Sequence, residues 1–108
     1  GEAGDPAGAR DLYAALIPDR TRVHGTNHEN TLDTRQGHAH WVGQAGDPAG
    51  ARDLYAALIP DRTRVHGANH ENTLDTRQGH ARWTGEAGDP ASARDLYAAL
   101  IPDRTRVH

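Results

Sequence analysis

Eight histidines stand in a chain of 108 residues, and their spacing is the first thing that could do chemistry. His24 and His28 are four apart, as are His66 and His70. His38 and His40 form a His-x-His pair found once, because Arg82 replaces the second histidine in the next copy. Imidazoles at such spacing are zinc ligands when three or four converge. Here each cluster brings two. His24 and His66 end one element while His28 and His70 fall in the loop that follows, so the spacing does not place them on one face. We expect no metal site and no cofactor, and give these residues loop and cap roles. Histidine-based metal binding stays as a third functional alternative.

Other reaction chemistry finds no support. Cysteine is absent, which removes thiolate nucleophiles, thiolate metal sites and disulfides. Ser92 is the only serine and sits at a helix start. Aspartate and arginine neighbours, such as Asp11 with Arg10 and Asp61 with Arg62 and Arg64, read as solvated helix faces. Asp19-Arg20 and its copies are expected to bridge neighbouring repeats. We expect no catalytic residues and no enzyme activity.

The elements that must carry these residues are set by repetition. Gly1, Gly43 and Gly85 open three copies of one 42-residue unit, the third running only to His108. The first two copies differ at Glu2/Gln44, Thr26/Ala68, His40/Arg82 and Val42/Thr84. The third differs from the first at Ser92, where the first has Gly8. A fixed period of this size marks a stacked array. Hydrophobic residues are 35% of the chain, and mean hydropathy is −0.84. That is too little for a large central core, but enough for a thin core between stacked neighbours.

The net charge of −3 gives no electrostatic footprint for nucleic acid. All twelve basic residues are arginine, a bias shared by GC-rich coding and by engineered sequences. No apolar run approaches membrane-spanning length and no signal-peptide pattern opens the chain. A cytoplasmic location is expected, with no membrane partner. The chain starts and stops within a repeat, which reads as an excised or designed fragment.

Within a repeat, Asp47 suits a helix N-cap and Pro48 its first position. Ala51, Leu54, Tyr55, Leu58 and Ile59 then recur as an amphipathic helical stripe, extended by Val65. We term this helix B. Pro60 interrupts it, and because the stripe resumes in phase a kink is expected rather than an end. Gly67 stops the helix. Asn69 or Asn72 caps helix A, whose weaker stripe is Leu74, Arg77/Gln78, Ala81 and Thr84. Gly46 or Gly88 closes it. Gly37 and Gly43 weaken helix A by up to about 1 kcal/mol each relative to Ala, so packing must hold it, and they leave room for a close neighbour. The spacing predicts helices near 6–24, 29–45, 48–66, 71–87 and 90–107, in the order B-A-B-A-B. Short loops predict antiparallel neighbours. The half repeat 1–24 is followed by hairpins 25–66 and 67–108, all one domain.

These residues resemble the tetratricopeptide repeat family. The matching features are the small residue Ala39, then Gly46-Asp47, Ala51 and Tyr55, repeated as Ala81, Gly88-Asp89, Ala93 and Tyr97. The segment from Arg64 to Arg77 is similar to the kinesin-light-chain-like branch, which occurs in actinobacterial proteins. Where that branch has Leu before the loop glycine, this chain has His24, His66 and His108. Where it has Asn-Leu-Ala in helix A, this chain has Gly37-His38-Ala39 and Gly79-His80-Ala81. The resemblance implies an all-α right-handed superhelical stack that binds a peptide or protein. It implies a concave groove lined by helix A, at Asp33, Gln36, Gly37, His40 and Gln44, and at Asp75, Gln78, Gly79, Arg82 and Glu86. Two positions that vary between copies, 40/82 and 44/86, fall in this set.

His38 and His80 lie on the apolar side of helix A. In a hairpin turning near residues 46–47, His38 comes level with Tyr55 and His80 with Tyr97, so an imidazole–phenol hydrogen bond is expected. Trp41 and Trp83 lie off the main stripe and are expected to pack in the core or between repeats rather than to stack on a ligand. Both terminal B helices keep their stripes, including Leu12/Tyr13/Leu16 and Leu96/Tyr97/Leu100, so copies are expected to associate. The function expected is a non-catalytic scaffold for protein or peptide binding. A designed or self-assembling module without natural ligand is the alternative.

Overall fold

The computed structural model describes residues 5–107, with side chains for 5–103; Gly1, Glu2 and His108 lie outside the described residues. Five α-helices follow in chain order: α1 (Pro6–His24), α2 (Glu29–Gln44), α3 (Pro48–His66), α4 (Glu71–Glu86) and α5 (Pro90–Val107). Among the described residues there is no strand. Each helix packs on its neighbours in sequence, and α2 also touches α4. Among the described residues no other helix pair meets. The core is thin, as the composition requires, and centres on Ala39, Val42, Ala51, Tyr55 and Trp83.

The helix starts follow from local chemistry. Asp47 accepts from the Gly50 N–H at 2.9 Å, and Asp5 does the same for Gly8. Both caps precede a proline whose missing N–H would have been unpaired anyway. Gly67 closes α3 at φ +92, a left-handed conformation that favours glycine. Its N–H bonds back to the Thr63 carbonyl. Pro18, Pro60 and Pro102 lie inside helices that continue past them.

The caps of α2 and α4 differ from expectation. They are His28 and His70, whose Nδ1 atoms accept from Asn30 and Asn72 N–H at 3.0 Å. Asn72 is therefore inside the first turn and Asn69 is not the cap. Thr31 and Thr73 supply a second anchor. Each hydroxyl donates to the carbonyl of the glycine closing the preceding B helix, Gly25 or Gly67, at 2.8 Å. The threonines are buried because they tie the helix junction together.

The stripe of α3 also corrects the sequence reading. Ala51, Tyr55 and Leu58 are buried, but Val65 is exposed and Arg62 takes the buried position one turn beyond Leu58. A guanidinium survives there because α2 presents acceptors. Arg62 Nη2 donates to Asp33 at 2.7 Å and to Gln36 at 3.2 Å.

Candidate functional site

The tyrosines of the B helices position the site. Tyr13 of α1 packs against Gly37 of α2, and Tyr55 of α3 packs against Gly79 of α4. A Cβ built on Gly79 would sit 2.6 Å from Tyr55 Cζ, so only glycine admits the ring there. Trp83 of α4 packs in the same manner on Gly43 of α2, where a built Cβ would lie 2.6 Å from the indole Cη2. These aromatic-on-glycine contacts bring backbones close and hold helix A in place despite its poor propensity. Trp83 is buried between repeats, whereas Trp41 is half-buried.

This packing removes the expected imidazole–phenol pairs. Tyr55 turns toward α4, and His38, one residue past Gly37, is rotated about 100° around α2. His38 instead feels Arg10 and Asp11 of α1, and His80 feels Arg52 and Asp53 of α3. Neither makes a hydrogen bond to Tyr55 or Tyr97 among the described residues. Burial pushes both imidazoles below the usual 6.5, with the arginines adding to it. His80 lines a separate depression with Arg52, Thr84, Asp89 and Ser92.

Two adjoining depressions, about 330 and 360 Å³, run along α2 and α4 and share Gln36, His40 and Tyr55. One adds Asp75, Gln78, Gly79, Arg82, Trp83 and Tyr97. The other adds Tyr13, Asp33, Gly37, Trp41 and Arg62. Of the ten candidate groove positions, all but Gln44 and Glu86 line these two depressions. Those two are exposed, at the last helical positions of α2 and α4.

Aromatic and charged side chains line the depressions together. Arg82 holds its guanidinium carbon 4.6 Å from the Trp83 ring centroid. His40 stands edge-on to Trp41 at 4.9 Å and to Trp83 at 6.5 Å. Burial and the nearby Arg82 charge lower the His40 pKa. Burial raises the Tyr55 phenol, against the opposing pull of Arg82. Arg62, at 2% exposure, is the most deeply held charge, and its Nε has no hydrogen-bond partner.

Sequence reasoning passed over Arg62 and the glycine-bedded aromatics. Arg62 carried a signal that went unused, since position 62 continues the 51, 55, 58 series. Arg10 and Asp11 form an exposed pair on a solvated helix face, as expected, whereas Asp61 belongs to a structural link between helices. Arg35 reaches Asp61 at 2.7 Å and Arg77 reaches Asp103 at 2.8 Å. They join the two helices of one hairpin, α2 to α3 and α4 to α5. Arg64 also pairs with Asp61. Arg35 and then Arg64, by hydrogen bond and charge, hold the Asp61 carboxyl below its ordinary range.

The histidine pairs stack as rings, His24 on His28 at 4.6 Å and His66 beside His70 at 4.8 Å. Among the described residues no group of three or more histidine and carboxylate side chains gathers in a way that could hold a metal ion. No described helix is long and apolar enough to cross a membrane. The fold defines an all-helical protein built from a repeated pair of helices. Comparison with protein-family models and with curated proteins finds no match to this chain.

Proposed function

We propose that this chain is a non-catalytic scaffold of the tetratricopeptide type, a right-handed α-solenoid that binds a peptide or protein segment along the groove of α2 and α4. What carries the reading is one coincidence. His40 and Arg82, which differ between otherwise near-identical copies, both line the depression that Tyr55, Trp83 and Tyr97 also line. A repeat that varies within its groove changes what that surface presents, and the buried pair Val42 and Thr84 is the one packing position that changes with it. Aromatic side chains set among polar ones suit short extended segments. Acidic Asp33 and Asp75 and basic Arg82 all line the two depressions, which favours a segment of mixed charge. A protein partner in the cytoplasm fits this reading best.

The test is selection of binders from a random peptide library on the immobilised chain, followed by NMR titration with a selected peptide. Shifts should concentrate at Gln36, His40, Gln78, Arg82 and Tyr97, and Arg82→Glu should weaken binding about tenfold. Binders whose shifts fall on α1 or on the His80 depression, or a library that yields none, would overturn it.

A further inference from the structure

Helix α4 begins beside two imidazoles whose hydrogen bonds fix where their protons sit. His70 caps α4, its Nδ1 accepting from the Asn72 N–H at 3.0 Å. An Nδ1 that accepts carries no proton, so His70 is neutral with its proton on Nε2. His66, the last residue of α3, stands beside it with ring centroids 4.8 Å apart. Nη1 of Arg62 lies 3.2 Å from His66 Nε2. A guanidinium has donors and no acceptor, so His66 accepts there and holds its proton on Nδ1. The two rings are thus neutral and of opposite tautomer. Each is engaged through the nitrogen that acid would protonate. His28 caps α2 in the same way, with His24 stacked on it at 4.6 Å.

The charges around the pair come from several helices. Arg62 lies on α3, and Glu29 and Asp33 act on His66 from α2. Glu71 follows His70 on α4 itself. From α5, Asp103 is tied to Arg77 of α4. Burial, then Arg62 and His70, lower the His66 pKa, against the opposing pull of Glu29 and Asp33. A cation at His70 would also sit at the positive end of the α4 dipole. Thr73 is a second anchor that does not titrate, its hydroxyl donating to the Gly67 carbonyl at 2.8 Å. Beyond it, buried Leu74 and Thr76 hold the helix. Before it, the Asn72 side chain donates to Glu29 of α2 at 3.3 Å, a link between successive A helices.

We propose that the His66–His70 pair is an acid-operated latch on the first turn of α4. Closed, the His70 cap and the Arg62–His66 contact keep Glu71 and Asn72 in the helix. A proton on His70 Nδ1 ends its acceptance from Asn72. A proton on His66 Nε2 ends its acceptance from Arg62 and sets two cations side by side. The turn before Thr73 then opens and Asn72 leaves Glu29, which loosens the α2–α4 link at this end. The rest of α4 stays packed. Because the closed state needs neutral rings, it is complete above pH 6.5 and is lost as pH falls through the lowered value of His66. The opening is local, and it does not depend on what the α2/α4 groove binds.

NMR of the full chain tests the latch. Ring-nitrogen spectra at pH 7.5 should show the proton on Nε2 of His70 and on Nδ1 of His66. Between pH 7.5 and pH 5, the Cα shifts of Glu71 and Asn72 should move from helical to coil values, while those from Gln78 to Arg82 stay helical. Asparagine caps a helix without titrating, so His70→Asn should keep Glu71 and Asn72 helical at pH 5. A proton on His70 Nδ1 at pH 7.5 would overturn the proposal. So would helical loss spread evenly along α4, or the same first-turn loss in His70→Asn. The ring spectra and the shift titration use the unaltered chain, so they decide the matter even where the variant does not fold.

Discussion

Leu16 and Leu58 occupy the same position in two helices of identical sequence, yet Leu16 is 40% exposed and Leu58 is not exposed at all. The side chain, its neighbours along the helix and its backbone are the same. What differs is the helix in front. Place in the stack therefore decides what a residue contributes. Leu58→Ala should cost about 2–5 kcal/mol, as buried leucines do. Leu16→Ala should cost under about 1 kcal/mol. Urea midpoints of the two single variants check this, and equal losses would contradict it.

The tyrosine-on-glycine contact sets local propensity against packing. Gly79→Ala gains up to about 1 kcal/mol of helix propensity. It also drives a methyl into the Tyr55 ring, and overpacking costs about 1–3 kcal/mol. The net outcome expected is destabilisation. Tyr55→Leu in the same chain should lessen the harm of Gly79→Ala, which a double-mutant cycle would read as a coupling of about 1 kcal/mol. Stabilisation by Gly79→Ala alone would show that the ring gives way.

Asp33 and Arg62 should respond unequally to removal. Asp33 is half exposed, so it regains water when Arg62 becomes Met. Arg62 is buried and keeps only Gln36 and a contact to His66 Nε2 at 3.2 Å when Asp33 becomes Ala. Loss of a hydrogen bond to a buried charge costs about 1.5–3 kcal/mol. Asp33→Ala should therefore destabilise more than Arg62→Met. Thermal denaturation of the two variants, ranked the other way, would contradict the pairing.

Acid should weaken the stack through its imidazoles. His38, His40, His66 and His80 all have folded pKa values below the usual 6.5, with burial the first cause in each. Arginines add to the lowering at every site: Arg10 at His38, Arg82 at His40, Arg62 at His66 and Arg52 at His80. The unfolded chain then binds more protons, so stability is full above pH 6.5 and falls as pH drops through the folded values. Urea midpoints should decrease between pH 7.5 and pH 5, and His80→Asn should reduce that decrease. Asp61, whose carboxyl is held low by Arg35 and Arg64, acts in a lower window. Its stabilisation is present above the ordinary carboxylate range and is lost only below it. Unchanged midpoints down to pH 5 would contradict the histidine account.

The helices were legible because their signals are local. Asp47-Pro48 starts α3, Gly67 ends it, and Ala51, Tyr55 and Leu58 mark its buried side within one turn of each other. The glycines at 37 and 43 announced close neighbours, though not which ones. What stayed hidden depends on direction across helices. Tyr55 is level with His38 along the hairpin but points to Gly79, and one-dimensional spacing does not record that rotation. Arg62 was read as part of a solvated face although position 62 continues the buried series; the acceptors on α2 make the position habitable. His70 as a cap was obscured by two asparagines beside it, the residue type that more often caps. Eight of ten candidate groove positions line the two depressions because helix A has a regular period. Gln44 and Glu86 fall outside because they are the last residues of α2 and α4.

The central claim is that each helix draws its stability from the neighbours it leans on. Amide hydrogen exchange by NMR tests it most directly, because α1 and α3 share one sequence and therefore share intrinsic exchange rates along it. Amides of α3, packed between α2 and α4, should exchange at least about tenfold more slowly than their counterparts in α1. Equal protection at matched positions of the two helices would contradict it.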